Sequence, residues 1–573
     1  MIKRINNPPT HQIMVNLLNI ALLQCAISAA IVYLRLQSVN RALMTPPAGW
    51  KKKLLKAISA GKDRKRLFYS WKVGAVRRQL LLIAEKASSF SNYGGVPLLS
   101  QLAGDDKEKE NIVSQLNKPE NETRMHKKLF GFFHPFCNAG GGGEKVLWKA
   151  VETTLRFDPH TIAVIYTGDN DVTGEQILQS VKNRFDYDLD TDRIVFIYLS
   201  QRKLVESETW PHFTLVGQLF GSIILTIEAI LKCPPDIWCD TMGYPFGYPW
   251  VWHLLRVPIV TYTHYPVMSS DMLNKLSHEK QTLKVLVKRA YWKIFMMYYS
   301  HMGSFVSVAS TNSSWTNDHI SLIWTQLRTH VIYPPCSTEK LVAFEKESKT
   351  PLVRKNQAIV LCQFRPEKRH KLIIREYATY LENTSNIEEA PKLVFIGSTR
   401  SDADRQYVQE LKDMALIDKK IPENLFEIMT DLPYDEIKRM LWTSTYGINA
   451  MWNEHFGIAV VEYIAGGLIP IVHGSAGPLF DIVIDNVGFF FLDPSDPDFK
   501  DRKALLGFGS LHEALEEVSY LTEQDKKKLS DIAIRIALTK FSDKRFDERW
   551  IDHVLIKLEK LKKKRHSASK KKA

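Results

Sequence analysis

The chain has 573 residues, of which 45% are hydrophobic, and a formal net charge of +14. That length supports two sizeable cores better than one, and the basic excess calls for an acidic partner: nucleic acid, anionic lipid or a phosphorylated substrate. The excess is concentrated at residues 51–78 and 562–572 around a nearly balanced middle, with no nucleic-acid-binding motif between them, so a membrane surface is expected and a nucleic acid is not.

Residues 13–34 contain no charged side chain. At ~1.5 Å per residue such a run reaches about 33 Å, enough to cross a bilayer core. A cleaved signal peptide is the competing reading, but no convincing cleavage site follows. Lys3 and Arg4 precede the run, and Arg35, Arg41, Lys51, Lys52, Lys53 and Lys56 follow it. The positive-inside rule then places the large C-terminal portion in the cytosol, behind a single-pass anchor. Residues 35–126 read as a basic membrane-proximal linker. The sequon Asn121-Glu122-Thr123 within it would stay unused on the cytosolic side. Six scattered cysteines (Cys25, Cys137, Cys233, Cys239, Cys336, Cys362) show no CxxC pair. Neither zinc nor a disulfide framework is expected, and a reducing compartment is the simpler setting.

A short apolar strand at 129–134 leads into Pro135-Phe136-Cys137-Asn138-Ala139, then Gly140, Gly141, Gly142 and Gly143, then a helix from about Val146. Strand, glycine run and helix make a loop whose backbone can approach a phosphate or a sugar closely. It is not a Walker loop, because Glu144 stands where that motif needs glycine and no Ser or Thr follows Lys145. Strands at 162–166, 194–199, 237–239, 258–263 and 304–308 alternate with helices, which predicts a doubly wound parallel sheet. Asp188-Leu189-Asp190 resembles a metal-binding DxD, but its acidic neighbours Asp186 and Asp192 favour a solvated turn. Residues 215–231 are short for a span and read as a buried or interfacial helix. Residues 284–299 mix Lys284, Lys288, Arg289 and Lys293 with apolar side chains, a pattern suited to an anionic bilayer and equally to an amphipathic helix on the sheet. His264 follows a strand directly, at the carboxyl end where ligands bind in such sheets.

Val331-Ile332-Tyr333-Pro334-Pro335 closes the first domain, and the charged run 339–355 reads as a linker. A second alternating set follows at 359–363, 392–396, 426–428, 446–450, 469–472 and 488–492. After its first strand, Arg365 and Lys368 are placed to hold a diphosphate, one as a fork and the other as a point charge. Further on, Glu454 and Glu462 stand eight positions apart, with a helix predicted from about Gly457. Eight helical steps span roughly 12 Å, too far for a hydrolase pair acting on one bond. The spacing suits the two ends of an elongated ligand, with the amides of Phe456, Gly457 and Ile458 aimed at a phosphate between them. Sugar, diphosphate and ribose in that order describe a nucleotide-sugar.

These residues carry a resemblance. Glu454 and Glu462 with the internal Phe456-Gly457 are similar to the signature of the retaining glycosyltransferases of family 4, over roughly residues 128–548. Phe133-His134-Pro135 with the glycine run, Asp240-Thr241-Met242-Gly243-Tyr244, His264-Tyr265-Pro266 and Gln363-Phe364-Arg365-Pro366-Glu367-Lys368 resemble the branch that assembles dolichol-linked oligosaccharides with GDP-mannose. The resemblance implies a GT-B fold: two Rossmann-like α/β domains facing a cleft, behind an N-terminal transmembrane helix. The expected division is 1–34 anchor, 35–126 linker, 127–345 acceptor domain, 346–548 donor domain and 549–573 basic tail. It implies transfer of α-1,2-linked mannose, with retention, from GDP-mannose to a dolichyl-diphosphate oligosaccharide at the cytosolic face of the endoplasmic reticulum. No metal cofactor is expected, and other mannosyltransferases of the same pathway are expected partners. A related transferase with another donor or lipid acceptor, and a catalytically silent scaffold, are the alternatives.

By that resemblance Glu454 orients the mannose and Glu462 binds the ribose. Lys368, Arg365 and the 456–458 amides hold the diphosphate, the Gly140–Gly143 loop closes over it, and His264 contacts the sugar. The family pattern has Arg five residues before the Lys, where this chain has Gln363, so Arg365 is the candidate replacement. The ending Lys570-Lys571-Lys572-Ala573 resembles a dilysine retrieval signal.

Overall fold

A computed structural model describes residues 31–59, 72–91, 127–268, 282–347, 352–399 and 401–570, together with Ser28 and Ser114. Two parallel sheets form two lobes. The first contains β1 Lys128–Phe133, β2 Thr161–Thr167, β3 Ile194–Tyr198, β4 Ile237–Asp240, β5 Ile259–Thr263, β6 Val308–Thr311 and β7 Thr329–Val331, in the order β3-β2-β1-β4-β5-β6-β7. The second contains β8 Lys355–Leu361, β9 Lys392–Gly397, β10 Phe426–Thr430, β11 Ser444–Asn449, β12 Ile469–His473 and β13 Phe489–Phe491, in the order β10-β9-β8-β11-β12-β13. Strands such as β2 and β3 are buried at every residue, as continuous apolar runs covered on both faces must be.

In both sheets the strand order reverses beside the first strand, at β1/β4 and at β8/β11. Ligands bind outside the carboxyl ends of the strands at such switch points. The chain leaves β1 into the glycine run, β5 into His264, β8 toward Lys368 and β11 toward Glu454. The two switch points therefore deliver the candidate residues. β6 starts at Val308, where the expected strand ended, because Gly303–Phe305 form a 3-10 turn instead. The three-residue β7 has no apolar run to announce it.

The basic stretch read as a linker contributes helices α1 (Trp50–Ser59) and α2 (Lys72–Ile83). α2 is bound to the first lobe rather than loosely tethered. Leu80, Leu81, Ala84, Ala87 and Phe90 enter that lobe's core. Arg77 donates to the Lys232 carbonyl at 2.7 Å, and Arg78 pairs with Asp236 at 2.5 Å. Two of the basic side chains thus close carbonyl and carboxylate ends of the lobe.

Three further helices of this lobe are α3 (Gly142–Phe157), α4 (Gly174–Phe185) and α5 (Thr214–Lys232). Among the described residues α5 is the helix long and apolar enough to cross a membrane. It lies on the lobe through Gly217, Gly221, Ser222, Leu225, Ala229 and Ile230, and carries a Glu228–Lys232 ion pair at 2.7 Å. Its other face exposes Phe220 and Ile224, and the neighbouring α6 (Leu283–Met302) exposes Leu286, Val287, Ile294 and Met297. Most of the expected span at 13–34 lies outside the described residues; Ile31, Val32, Tyr33 and Leu34 are helical and exposed. The sequon at 121–123 also lies outside the described residues.

Part of the charged run 339–355 forms a helix, Thr338–Glu347, which joins the second lobe: the Trp442 indole donates to the Leu341 carbonyl at 2.8 Å. In that lobe α7 spans Ile458–Ala465. The chain end departs further from expectation. α8 (Asp543–Trp550), a π turn at Ile551–Leu555 and α9 (Ile556–Lys570) cross back to the first lobe. Phe546, Trp550, Val554, Leu555 and Leu558 share a core there with Phe130 and Trp148. Their three-to-four-residue spacing is a helix stripe that the lysine-rich composition of the tail hides.

Candidate active site

The lobes enclose a cleft of about 1070 Å³, slightly above the usual span of small-molecule sites and roomy enough for an elongated ligand. Gly140, Gly141, Gly142, Gly143 and His264 line it from the first lobe; Lys368, Glu454, Phe456, Gly457, Ile458 and Glu462 line it from the second. Eleven of the twelve residues singled out from the sequence therefore meet in one cavity. Arg365 does not. Its side chain is half exposed, 4.0 Å from Glu367, and outside the cleft lining. Pro366 starts a 3-10 turn immediately after it, which turns Lys368 inward and leaves Arg365 facing solvent. Gln363 occupies the cleft wall instead.

Glu454 and Glu462 are not on one helix. Gly457 takes the left-handed conformation (φ +104°), and α7 begins only at Ile458. The helical-rise spacing therefore does not apply to the pair. Gly457 supplies no side-chain cap, so the amides of Ile458 and Ala459 are left to the cleft, while the Val460 amide donates to the Gly457 carbonyl at 3.0 Å. Behind them Phe456 is buried, its ring stacked 5.9 Å from Tyr333.

Lys368 Nζ donates to Glu454 Oε2 at 2.6 Å. Burial pushes the Glu462 carboxyl above the usual carboxylate range, while Lys145 of the opposite lobe pulls it down. Lys145 stands two positions after the glycine run and was not singled out by sequence. Its neighbour Glu144 is buried and accepts the Gly141 amide at 2.5 Å, fixing the loop to the first turn of α3. Gly140 is left-handed (φ +75°), and the Arg184 guanidinium of α4 covers the space where its side chain would be. A Cβ on Gly142 would come within 2.5 Å of Ile458 Cδ1, so the glycine loop touches the start of α7 across the cleft.

The floor of the first lobe holds two histidines joined through one threonine. His134 Nδ1 lies 2.7 Å from Thr241 Oγ1, and His264 is hydrogen-bonded to the Thr241 backbone. Burial lowers His134 to about 3 and His264 to about 4, so both rings are neutral near pH 7. The buried Nε2 atoms of both rings, and Oδ1 of the adjacent Asn312, have no hydrogen-bond partner among the described residues. His264 and Asn312 line the cleft, which makes their unpartnered atoms the candidates for meeting substrate hydroxyls, while His134 lies buried behind them. Thr241 is held in turn by Asp240, which accepts the amides of Met242, Gly243 and Tyr244 at 2.8, 2.9 and 2.7 Å. No local signal pairs His134 with His264, since the two stand 130 positions apart in the chain.

The lobes also touch at the cleft mouth. Tyr265 stacks on His455 with ring centres 5.2 Å apart, and Asp481 accepts Ser314 N at 2.9 Å and Tyr333 OH at 2.9 Å. Asp188 and Asp190 lie away from the cleft lining; Asp190 pairs with Arg193 at 2.6 Å.

Residues 127–324 match the family described as ALG11 mannosyltransferase N-terminus, and residues 343–506 match Glycosyl transferases group 1. The chain is 50% identical over 505 residues to the GDP-Man:Man(3)GlcNAc(2)-PP-Dol alpha-1,2-mannosyltransferase of Kluyveromyces lactis, covering 84% of this chain and 87% of that protein. The human protein of the same name is 35% identical over 466 residues, covering 78% of this chain and 89% of that one. Among solved structures, the alpha,alpha-trehalose 6-phosphate synthase of Burkholderia multivorans has a TM-score of 0.53 at 10% identity, covering 76% of this chain and 99% of that one. The trehalose-6-phosphate phosphatase N-terminal domain of Candida albicans has a TM-score of 0.54 at 11% identity, over 75% and 99%. Likeness at such identities concerns the two-lobed GT-B-like fold alone.

Proposed function

Because the chain belongs to the GDP-Man:Man(3)GlcNAc(2)-PP-Dol alpha-1,2-mannosyltransferase family, we propose how its cleft moves mannose from GDP-mannose in α-1,2 linkage onto a dolichyl-diphosphate-linked oligosaccharide. The observation that carries the site assignment is the meeting of Glu454, Lys368, His264 and the Gly140–Gly143 bend in one interlobe cleft.

The diphosphate of GDP-mannose lies against the first amides of α7 and Lys368, and Glu462 takes the ribose hydroxyls. As the diphosphate draws Lys368 to itself, Glu454 is released to bind the mannose hydroxyls. The bond from the anomeric carbon to the diphosphate oxygen breaks, and the acceptor hydroxyl forms its bond on the same face. Its proton goes to the leaving diphosphate oxygen. Donor and product are both α-linked, which is the stereochemistry of retention. Fixed positive groups around the leaving diphosphate stabilise the developing charge, so no metal cofactor is needed. His264 accepts a sugar hydroxyl at its free Nε2.

The membrane part of the proposal is a single-pass anchor at 13–34 in the endoplasmic reticulum membrane, with both lobes cytosolic. The uncharged run at 13–34, the basic residues after it and the exposed apolar side chains of α5 and α6 support it. Other mannosyltransferases of the pathway are the proposed protein partners. Purified protein should transfer labelled mannose from GDP-mannose to a lipid-linked acceptor in the presence of EDTA, giving a product cleaved by an α-1,2-specific mannosidase. Loss of transfer in EDTA would overturn the metal-independent part. Absence of GDP binding would turn the reading toward a silent scaffold.

A further inference from the structure

At the edge of the first sheet, away from the cleft lining, five basic residues converge where the returning C-terminal helices meet β7. Arg328 and His330 come from the edge strand and the residue before it; Arg549, His553 and Lys557 come from the helices. The His330 and His553 rings stack with centres 4.5 Å apart and planes 19° apart. Each ring accepts from a cation: Arg549 NH1 lies 3.0 Å from His553 Nε2, and Lys557 Nζ lies 3.4 Å from His330 Nε2. Both imidazoles are therefore neutral acceptors, held between permanent cations.

Among the described residues no carboxylate forms an ion pair with Arg328, Arg549 or Lys557. Glu548 is taken by Arg545 at 2.8 Å, and Asp552 is near enough to act on His553 alone. Burial and the crowd of like charges hold His330 down to about 4 and push Lys557 below its ordinary range. Three cations folded around two neutral imidazoles without a paired carboxylate raise the free energy of this corner, and an anion would relieve it. Forked guanidinium donors beside a lysine can reach several oxygens of one phosphate group from different sides.

We propose that Arg328, His330, Arg549, His553 and Lys557 form a binding site for a phosphate group, separate from the sugar-nucleotide cleft, on the seam between β7 and the C-terminal helices. The group is that of a lipid headgroup or of a free phosphate. Occupancy would tie the C-terminal helices to the lobe whose core they complete.

The test compares the full chain with R549Q/K557Q, in which no cleft-lining residue is altered, so that phosphate binding in the cleft cancels whether or not the cleft binds GDP. Sodium pyrophosphate is titrated calorimetrically, and vesicles of phosphatidylcholine alone or with phosphatidic acid are tested by flotation. About a tenfold or greater weakening toward pyrophosphate in the variant supports a free-phosphate site. Weakening confined to the phosphatidic acid vesicles supports a headgroup site. Equal binding by both proteins to both probes overturns the proposal. Should R549Q/K557Q melt early, the exposed-residue variant R328Q carries the same comparison.

Discussion

Lys368 Nζ lies 2.6 Å from Glu454 Oε2, so the cation expected at the diphosphate and the carboxylate expected at the sugar are partners of one another. The pair is only partly exposed, at 24% and 15%, so removing either member strands the other at a half-dry surface. Lys368→Met should lower GDP affinity and cut kcat together. Glu454→Gln should cut kcat by about 10²–10³, the scale of losing one group aligned on the reacting centre, with GDP affinity within about threefold. Steady-state kinetics paired with GDP titration separates the roles. An equal loss of GDP binding in Glu454→Gln would sink the division of labour.

Across the cleft, a Cβ on Gly142 would overlap the Cδ1 tip of the Ile458 side chain, which must turn aside to admit it. Gly142→Ala should displace the Ile458 side chain at the start of α7 and raise the donor KM modestly, with a smaller change in kcat. Shortening the opposing residue makes the room back. Gly142→Ala with Ile458→Ala should recover a large part of the loss, a coupling that non-contacting residues would not show. Additive defects in the double variant would mean that the contact plays no part in closure.

Much of this arrangement was legible in the sequence because it depends on short-range signals. Apolar runs bounded by turn residues marked eleven of the thirteen strands and touched β6 only at its first residue, and glycine and carboxylate spacing marked most of the cleft. What escaped depends on distance along the chain. His134, Thr241 and Lys145 acquire meaning only when β1, β4 and α3 are brought together. Arg365 looked equivalent to Lys368 because composition carries no direction; the turn at Pro366 decides which one faces inward. The ends misled for the opposite reason. Their lysines and arginines were conspicuous, and the sparse apolar stripe that packs α2, α8 and α9 onto the first lobe was not.

The histidine floor makes stability depend on acid. His134 at about 3 and His264 at about 4 both lie below the ordinary 6.5. The unfolded chain therefore binds more protons than the folded one below pH 6.5, and stability rises with pH across that window. It should be complete above pH 6.5 and fall steadily as pH drops toward 4. A tenfold change in proton affinity is worth about 1.4 kcal/mol, so protonating the fully buried His134 alone costs several kcal/mol. In His134→Gln, Tm measured from pH 7.5 to 4.5 should fall less steeply than in the parent, whatever its starting value. Thr241→Val should lower Tm at neutral pH by removing the His134 partner, and Thr241→Ser should restore it. An unchanged slope in His134→Gln would show that other groups carry the acid sensitivity.

The C-terminal helices are the last wall of the first lobe's core rather than an appendage. Trp550 is fully buried, and its indole donates to Thr154 Oγ1 at 3.0 Å. Beside it Asp547 gathers Arg156 at 2.5 Å and Lys149 at 3.3 Å, both from α3, the helix that begins at the glycine loop. Trp550→Ala should therefore cost about 3–5 kcal/mol, the range for emptying a large aromatic site. A chain ending before α8 should expose the apolar face formed by Phe130 and Trp148 and aggregate. Because α3 carries Lys145 and supports the Gly140–Gly143 bend, the milder Trp550→Phe should lower Tm slightly and also weaken transfer, with GDP binding to the other lobe nearly intact. Chemical denaturation and GDP titration of the same protein read both effects. If Trp550→Phe lost stability and kept full transfer, the helices would serve the core alone, and the mechanical link from chain end to cleft would be wrong.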